Sequence, residues 1–173
     1  MSSRSSGFTM IEVLVAMLVI GTGALAMVML QLQALRGSRD NALHAGAVAL
    51  AVELAELRAA QRAGNPYGAD PYLFSFDAAQ GTATSAPDCI ASACDADGFA
   101  RAAIADWNAR LARDFPGARA VVCRDAGARA GTPADWRCDD DPAAPVVAKL
   151  GWRRASAGGT SAVVPLATVF IGP

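Results

Sequence analysis

Residues 7–32 read GFTMIEVLVAMLVIGTGALAMVMLQL, and this stretch decides the fold. No charged side chain lies between residues 13 and 30. An α-helix rises about 1.5 Å per residue, so roughly 20 apolar residues are needed to cross the hydrocarbon core of a bilayer. The run therefore predicts one membrane-spanning helix close to the start of the chain.

One carboxylate, that of Glu12, lies inside the apolar block. A lone carboxylate in lipid costs at least about 2.5 kcal/mol on insertion scales, so Glu12 is expected to have a cationic partner. No Lys, Arg or His lies within helical reach on its C-terminal side, and the upstream cations are Arg4 and the amine that begins the chain. Because a buried ion pair is favourable only at close range, a free amine at a helix N-terminus would be a suitable partner.

Residues 7–12, GFTMIE, resemble the class III signal of type IV pilins and pseudopilins, with Met10 where that family commonly has Leu. The resemblance implies that a prepilin peptidase cuts after Gly7 and methylates the new N-terminal Phe8. It also implies that Glu12, the fifth residue of the mature chain, pairs with the N-terminal amine of a neighbouring subunit. The partners implied are thus the peptidase, other pilins and the inner membrane.

Two other interpretations of the N-terminal run stay open. An ordinary secretory signal would use Arg4 as its positive region and the Ala-Leu-Ala of residues 24–26 as its cleavage site. The apolar run continues to Leu30, however, which an ordinary signal does not need. A plain single-span anchor would leave Glu12 unexplained. Either case would make the rest of the chain a periplasmic enzyme or binding module, released or membrane-anchored.

Composition narrows the class of protein further. The chain has 173 residues and a net charge of −1, so it lacks the basic excess of a nucleic-acid-binding protein. Separately, the sequence predicts no cofactor. Four cysteines in a chain with an export element predict two disulfides outside the cytoplasm. Arg4 on the short N-terminal side favours a cytoplasmic N-terminus and a periplasmic C-terminal region.

We expect four segments along the chain. They are a prepilin leader at residues 1–7, a hydrophobic transmembrane and filament-core helix at 8–32, an amphipathic second half of the same helix at 33–63, and a periplasmic α+β region at 64–173. The polar, helix-weak residues 37–41 predict a bend between the helix halves, and Gly64 with the following Asn-Pro predicts the helix end.

The second half of the long helix carries an apolar stripe. Five residues recur at gaps of three and four, as on one helix face: Leu43, Ala47, Leu50, Leu54 and Leu57. Glu53, Glu56 and Arg58 are expected on flanking or opposite faces. The stripe can pack on the protein's own sheet or on neighbouring helices in a filament.

Beyond residue 64 the pattern predicts short elements. A second amphipathic helix is expected over residues 99–115, with an apolar face formed by Phe99, Ile104, Trp107, Leu111 and Phe115. Extended segments are expected at residues 72–76, 118–124, 146–153 and 162–171, and a return strand is expected to start at 136–138. Pro165 cannot donate to a strand ladder, which places the last strand at an edge or at a bulge. The fold class is α+β and pilin-like, with the long helix packed on a small antiparallel sheet.

Four cysteines allow three disulfide connectivities. Cys89 with Cys94 and Cys123 with Cys138 are favoured, because each pair closes a local loop of turn-rich sequence. A zinc site made from all four thiolates is the alternative, but their spacing does not give two CxxC knuckles.

The remaining chemistry-bearing residues favour structural roles. His44 is the sole histidine and is expected on a helix surface. The acids Asp95 and Asp97 and the run at residues 139–141 lack the ligand spacing of a calcium loop, so solvated turns are expected. Trp152, which precedes two arginines, is expected to be buried in a strand, with an exposed cation–π patch as the alternative.

The order of a C-x4-C segment, a short helix with a Trp, Pro-Gly and a strand with a third Cys resembles the PilV branch of the minor type IV pilins. That resemblance implies a non-enzymatic subunit which helps to initiate pilus assembly, in a tip complex with other minor pilins. A minor pseudopilin of a type II secretion system shares the same signal and stays open as the alternative.

Overall fold

The computed structural model describes residues 7, 9–66, 68–81, 86–127, 135–139, 141–154 and 163–173. The chain forms two compact units, Met1–Asn41 and Ala42–Pro173. In its described part the first unit consists of helix and the few residues before it. The second unit contains the rest of that helix, a second helix and a sheet.

The first helix, α1, spans Met10–Gly64 and is 55 residues long. Residues 37–41, where a bend was expected, are helical, and the boundary between the two units falls at the end of this stretch. The predicted stop is confirmed, since α1 ends at Gly64 and the Asn65 N–H still donates to the Gln61 carbonyl at 3.0 Å. Proline at the next position cannot continue the helical hydrogen bonding.

The second helix, α2, spans Ala96–Asp114 and begins three residues before the predicted start. Asp95 is the N-cap, and its Oδ1 accepts a hydrogen bond from the Gly98 N–H at 2.7 Å, which satisfies one of the free donors of the first turn. The prediction that Phe99 belongs to the apolar face is wrong, because this side chain is 58% exposed. Ala100 is buried in its place.

Four strands form one antiparallel sheet in the order β1-β2-β3-β4. They are β1 (Phe74–Asp77), β2 (Arg119–Arg124), β3 (Val146–Gly151) and β4 (Ala167–Gly172). The α+β prediction is confirmed. Pro165 lies just before β4, which is an edge strand, and a register shift at Val146/Val147 marks an irregularity between β3 and β4.

The expected return strand at residues 136–138 is wrong, because this segment has no strand hydrogen bonding. Its groups bond elsewhere: the Trp136 indole N–H donates to the Val163 carbonyl at 2.9 Å, and Cys138 is bonded to Cys123. Cys123, Lys149 and Gly151 share the face of the sheet that this segment contacts, since alternate residues point to the same side. The segment therefore covers the outer face of the sheet.

The core of the second unit lies between α1, α2 and the inner face of the sheet. Trp107 of α2 is fully buried, its indole N–H donates to the Leu50 carbonyl of α1 at 2.9 Å, and its ring meets Phe74 edge-on with centroids 5.9 Å apart. The apolar stripe of α1 faces this core: Ala47 and Leu54 are buried, and the three other leucines pack against the cluster while partly exposed. The stripe therefore packs within the protein's own second unit.

Arg58 lies on the buried face of α1, so the prediction that it lies on a flanking or opposite face is wrong. It lies one turn after Leu54, on the buried side, and is 4% exposed. Its Nε lies 2.8 Å from Asp70 Oδ2, and its two terminal nitrogens donate to the Ile171 and Pro173 carbonyls at 3.3 and 2.9 Å. A guanidinium can be buried here because one carboxylate and two carbonyls replace its water.

Two disulfides hold segments without regular structure. Cys89–Cys94 closes the turn before α2, and Cys123–Cys138 joins β2 to the segment over the outer face. Both are pairings that the sequence favoured. All four thiols are consumed, and no free cysteine is present in the structure.

We expect Arg58→Ala to lower the free energy of unfolding by about 3–5 kcal/mol, because it leaves the Asp70 carboxylate buried without its partner. Denaturant unfolding of the full chain in detergent measures this. Arg101→Ala is the matched control, since Arg101 is exposed and has no polar partner among the described residues, and its cost should stay within about 0.5 kcal/mol. Equal costs for the two variants would contradict the assignment.

Removing each disulfide by paired Cys→Ser substitution should lower the free energy of unfolding by an amount that grows with the length of the loop that the disulfide closes. Loss of Cys123–Cys138, with a sequence separation of 15, should cost about 3 kcal/mol, and loss of Cys89–Cys94, with a separation of 5, about 2 kcal/mol. Unfolding of each variant under non-reducing conditions provides the comparison. A larger cost for the shorter loop would show that chain entropy is not the main contribution.

Candidate assembly site

The N-terminal end of α1 is formed by the residues that the sequence singled out. Gly7 and Thr9 precede the helix and are exposed, and Phe8 lies outside the described residues. The Thr9 carbonyl accepts from the Glu12 and Val13 N–H groups at 3.1 and 3.4 Å, so the helical hydrogen bonding starts at this residue. The predicted cleavage junction therefore lies within one turn of the helix start.

Glu12 lies in the first turn of α1 and is exposed. The structure gives it no ion pair within the described part of the chain. The N–H groups at a helix N-terminus carry a partial positive charge that favours a carboxylate nearby. Glu12 is thus placed where a helix tolerates negative charge, with its carboxylate available to a group outside this chain.

The apolar run of α1 has no cover from the rest of the described chain. Every described residue of the first unit is exposed, including Ile20 at 71% and Met29 at 70%. The best 18-residue window of α1 has a mean hydropathy of 2.6, and none of it is buried. By length and composition, this helix can cross a membrane. An apolar surface of this extent requires lipid or other protein chains around it.

The one hydroxyl in the middle of the run is satisfied within its own helix. Thr22 Oγ1 lies 3.0 Å from the Leu18 carbonyl oxygen and 3.1 Å from the Val19 carbonyl oxygen, so its hydroxyl can donate to either one. It can therefore enter an apolar environment without losing a hydrogen bond. A Cβ built on Gly21 or Gly23 would contact nothing, so this short stretch of helix surface is open to close approach by another helix.

Residues 2–28 match the family described as the prokaryotic N-terminal methylation motif. The match includes Gly7, Phe8 and Glu12 and most of the apolar run. Together with the uncovered helix, it fits a membrane-anchored subunit that is processed at its N-terminus. The match supports a type IV pilin-like protein, and the long helix with its small antiparallel sheet is consistent with the pilin fold. No curated protein and no solved structure matches the chain.

A bidentate ion pair joins the two helices of the second unit. Arg110 of α2 donates to both carboxylate oxygens of Glu53 on α1, with 2.8 Å between Arg110 Nη1 and Glu53 Oε2. Arg110 Nε also lies 2.9 Å from Asp106 Oδ2 within α2. The hydrogen bonds that Arg110 donates to Glu53 lower the pKa of the Glu53 carboxyl and raise the pKa of the Arg110 guanidinium. The pair is partly exposed, with 29% and 40% of the side chains open to water, so its contribution to stability is modest.

Sequence analysis missed a buried cation in β3. Lys149 is 2% exposed, its Nζ lies 2.5 Å from Asp125 Oδ2 and 3.8 Å from Asp135 Oδ1, and it donates to the Arg137 carbonyl. Lys149 is the single charged residue of the otherwise apolar strand V-V-A-K-L-G, and this pattern could have predicted a buried, paired cation. With the disulfide Cys123–Cys138, this cluster fastens residues 135–139 to the sheet.

The other candidate residues have local structural roles. His44 is exposed, and its ring centroid lies 6.4 Å from that of Trp152, which is buried as the sequence favoured. Asp97 accepts from Gln61 at 3.2 Å, and Asp139 accepts from the Ala126 N–H at 2.6 Å. Asp140 lies outside the described residues.

Over the part of the chain that the structure describes, no group of three or more His, Cys, Asp or Glu side chains is arranged to hold a metal ion. The four thiolates of the zinc alternative are instead paired in the two disulfides.

The ion pair of Glu53 predicts a pH-dependent difference between the wild-type chain and Glu53→Gln. A lowered carboxyl pKa stabilises the fold above the ordinary value of 4.5, and this stabilisation is lost as the pH falls through the lowered value. We expect a difference of at most about 1 kcal/mol at pH 7 that shrinks below pH 4. Thermal unfolding at several pH values measures it. Glu56→Gln is the control, and a constant difference for Glu53→Gln would contradict the prediction.

Proposed function

We propose that this chain is a minor type IV pilin of the PilV kind, a subunit that takes part in initiating pilus assembly with other minor pilins at the filament tip. The observation that carries the proposal is the position of Glu12. Its exposed carboxylate lies in the first turn of an apolar helix whose surface is uncovered, directly after a methylation-type junction. A structural subunit, rather than an enzyme, fits this arrangement.

Maturation uses the residues before the helix. A prepilin peptidase removes the leader, residues 1–7, by cutting after Gly7, and methylates the amine of Phe8. Gly7 is exposed and lies before the first described helical hydrogen bonds, which the Thr9 carbonyl accepts. The cut leaves a cationic amine four residues before Glu12.

Assembly follows from two charges, the Glu12 carboxylate and the amine that maturation frees at Phe8. In an apolar environment an unpaired carboxylate is costly, and a cation at close range removes most of that cost. Each mature subunit would carry both charges, the Phe8 amine and the Glu12 carboxylate, four residues apart in sequence. The amine of an incoming chain can therefore pair with Glu12 of a chain already in place, which sets the axial position of one subunit on the next.

The apolar run serves in two environments. Before assembly it anchors the subunit in the inner membrane as a single span, with a cytoplasmic N-terminus and the second unit in the periplasm. After assembly the same surface packs against other pilin helices in the filament core, on the cell surface. The two disulfides suit the oxidising compartment that this topology gives the second unit.

The assignment to the PilV branch rests on the order of elements in the second unit. A C-x4-C disulfide precedes α2 with its buried Trp107, and Cys123 lies in the strand after it. A minor pseudopilin of a type II secretion system shares the N-terminal motif and the long helix, and it is the alternative. The two are separated by the filament into which the chain is incorporated.

Glu12→Gln keeps the shape of the side chain and removes its charge. We expect membrane insertion and the fold of the second unit to be unchanged, while incorporation into filaments falls at least about tenfold, because breaking a buried ion pair costs about 3–5 kcal/mol. Co-purification of the full chain with sheared pili, in cells that express the major pilin and the peptidase, measures the incorporation.

Glu56→Gln is the matched control for Glu12→Gln, since Glu56 is exposed on the same helix and has no ion pair in the described structure. Its incorporation should equal that of the wild-type chain. Normal incorporation of Glu12→Gln would overturn the proposed mechanism. Incorporation of the wild-type chain into a type II secretion filament instead of a pilus would favour the pseudopilin.

A further inference from the structure

The arginines of the second unit divide into those with polar partners and those without. Seven of the described cationic side chains in this unit donate to carboxylates or backbone carbonyls: Arg58, Arg62, Arg110, Arg113, Arg124, Arg137 and Lys149. Four other arginines have neither an ion pair nor a side-chain hydrogen bond within the described residues: Arg101, Arg119, Arg153 and Arg154. Two of these four, Arg119 and Arg153, line the same cavity.

This cavity has a volume of about 460 Å³ and lies at one end of the sheet. Ligand sites in proteins commonly have volumes of about 300–1,000 Å³. Its lining includes Asp77 at the end of β1, whose register partner is Arg119 on β2, together with Gly117 and Val163. Two cations and one carboxylate thus converge on a space large enough for a small molecule.

The position of Arg119 is fixed by an aromatic ring. Its Cζ lies 4.5 Å from the ring centroid of Trp136, and the indole N–H of Trp136 donates to the Val163 carbonyl at 2.9 Å. Stacking covers one face of a guanidinium and leaves the N–H groups at its edge free to donate. Among the described residues, Arg119 is therefore held by the Trp136 ring without using its hydrogen-bond donors.

The main chain of Arg153 is held beside Pro116, and its side chain lies against Gly117. Its N–H donates to the Pro116 carbonyl at 2.8 Å, and its side chain passes over Gly117. A Cβ at Gly117 would lie 2.5 Å from Arg153 Nε, and the φ of +59° at this residue also favours glycine. The glycine lets the guanidinium approach the backbone closely at the cavity wall.

Asp77 adds an acceptor to the two donors. Its Oδ1 accepts from the Ala79 N–H at 2.9 Å and caps the short 3-10 turn Ala78–Gln80. Its Oδ2 has no partner among the described residues. Asp77 forms no ion pair with Arg119 in the structure, although the two residues are cross-strand partners. A free carboxylate oxygen next to guanidinium donors suits a ligand that carries both an anionic group and a hydroxyl.

We propose that this cavity binds a sugar acid, either free or as a residue of an acidic polysaccharide. Arg119 and Arg153 bind the carboxylate of the sugar through their paired N–H groups, and a sugar hydroxyl donates to Asp77. A simple carboxylate would gain the first interaction but not the second. The proposal concerns the second unit alone and is independent of the assembly function.

The test is an NMR titration of the full chain in detergent micelles, following the indole N–H of Trp136. The probes are glucuronate, acetate as a carboxylate without hydroxyls, and glucose as a neutral sugar. We expect glucuronate to bind at least about tenfold more tightly than acetate, and glucose to cause no shift. Failure of glucuronate to bind, or binding no tighter than that of acetate, would overturn the proposal. A tetragalacturonate that binds more tightly than glucuronate would identify a polysaccharide as the source, and equal binding would identify the free sugar acid.

Variants assign the binding to these residues. Arg119→Gln and Arg153→Gln should each weaken glucuronate binding about tenfold or more, the effect of losing a charge-assisted hydrogen bond. Arg101→Gln, which removes an unpartnered arginine that does not line the cavity, should leave it unchanged. Asp77→Ser keeps an N-cap residue but removes the second carboxylate oxygen, so it should remove the preference over acetate. If Arg101→Gln weakens binding as much as the cavity variants, the site is wrong. Arg153 is exposed, so its variant remains informative even if Arg119→Gln unfolds.

Discussion

A carboxylate in a membrane-length apolar helix is the constraint on which this account depends. Glu12 cannot remain in a low-dielectric environment without a cation, and it has no ion pair within the described part of the first unit. The helix end that carries it is also the end that cleavage would convert into a free amine. In the proposed assembly, a charge that is unfavourable in one subunit would become a specific contact between two, and the apolar surface around it would exclude the water that weakens such a pair.

The second unit pairs its buried charged side chains internally. Arg58 is surrounded by Asp70 and by carbonyls of the C-terminal strand region, and Lys149 is held by Asp125 and the segment over the outer face of the sheet. These contacts join residues that are distant in sequence, such as Arg58 and Ile171. The second unit therefore folds around its own core, while the apolar surface of the first unit depends on what surrounds it.

Periodicity was enough to predict most of the fold. The single long helix, its stop at Gly64, the second helix and the antiparallel strands all followed from hydropathy patterns and from glycine and proline positions. Burial of charged residues could not be predicted in the same way. Arg58 is buried because acceptors come from Asp70 and β4, and no local pattern reveals them. Phe99 is exposed because its gap of five residues to Ile104 takes it off the buried face of α2. Residues 136–138 form no strand in the structure, and side-chain contacts such as that of Trp136 with Val163 hold them. The residues proposed for assembly were inferred from a motif, and a single chain does not show contacts between subunits.

The most direct test of the central claim is the mass of the mature N-terminus. The full chain, expressed with a prepilin peptidase and analysed by intact and N-terminal peptide mass spectrometry, should begin at an N-methylated Phe8. That result gives Glu12 the amine that its charge requires. A chain that begins at Met27, after cleavage by a signal peptidase, would remove both groups together. A chain that keeps Met1 would leave Glu12 without the amine, and either result would contradict the account.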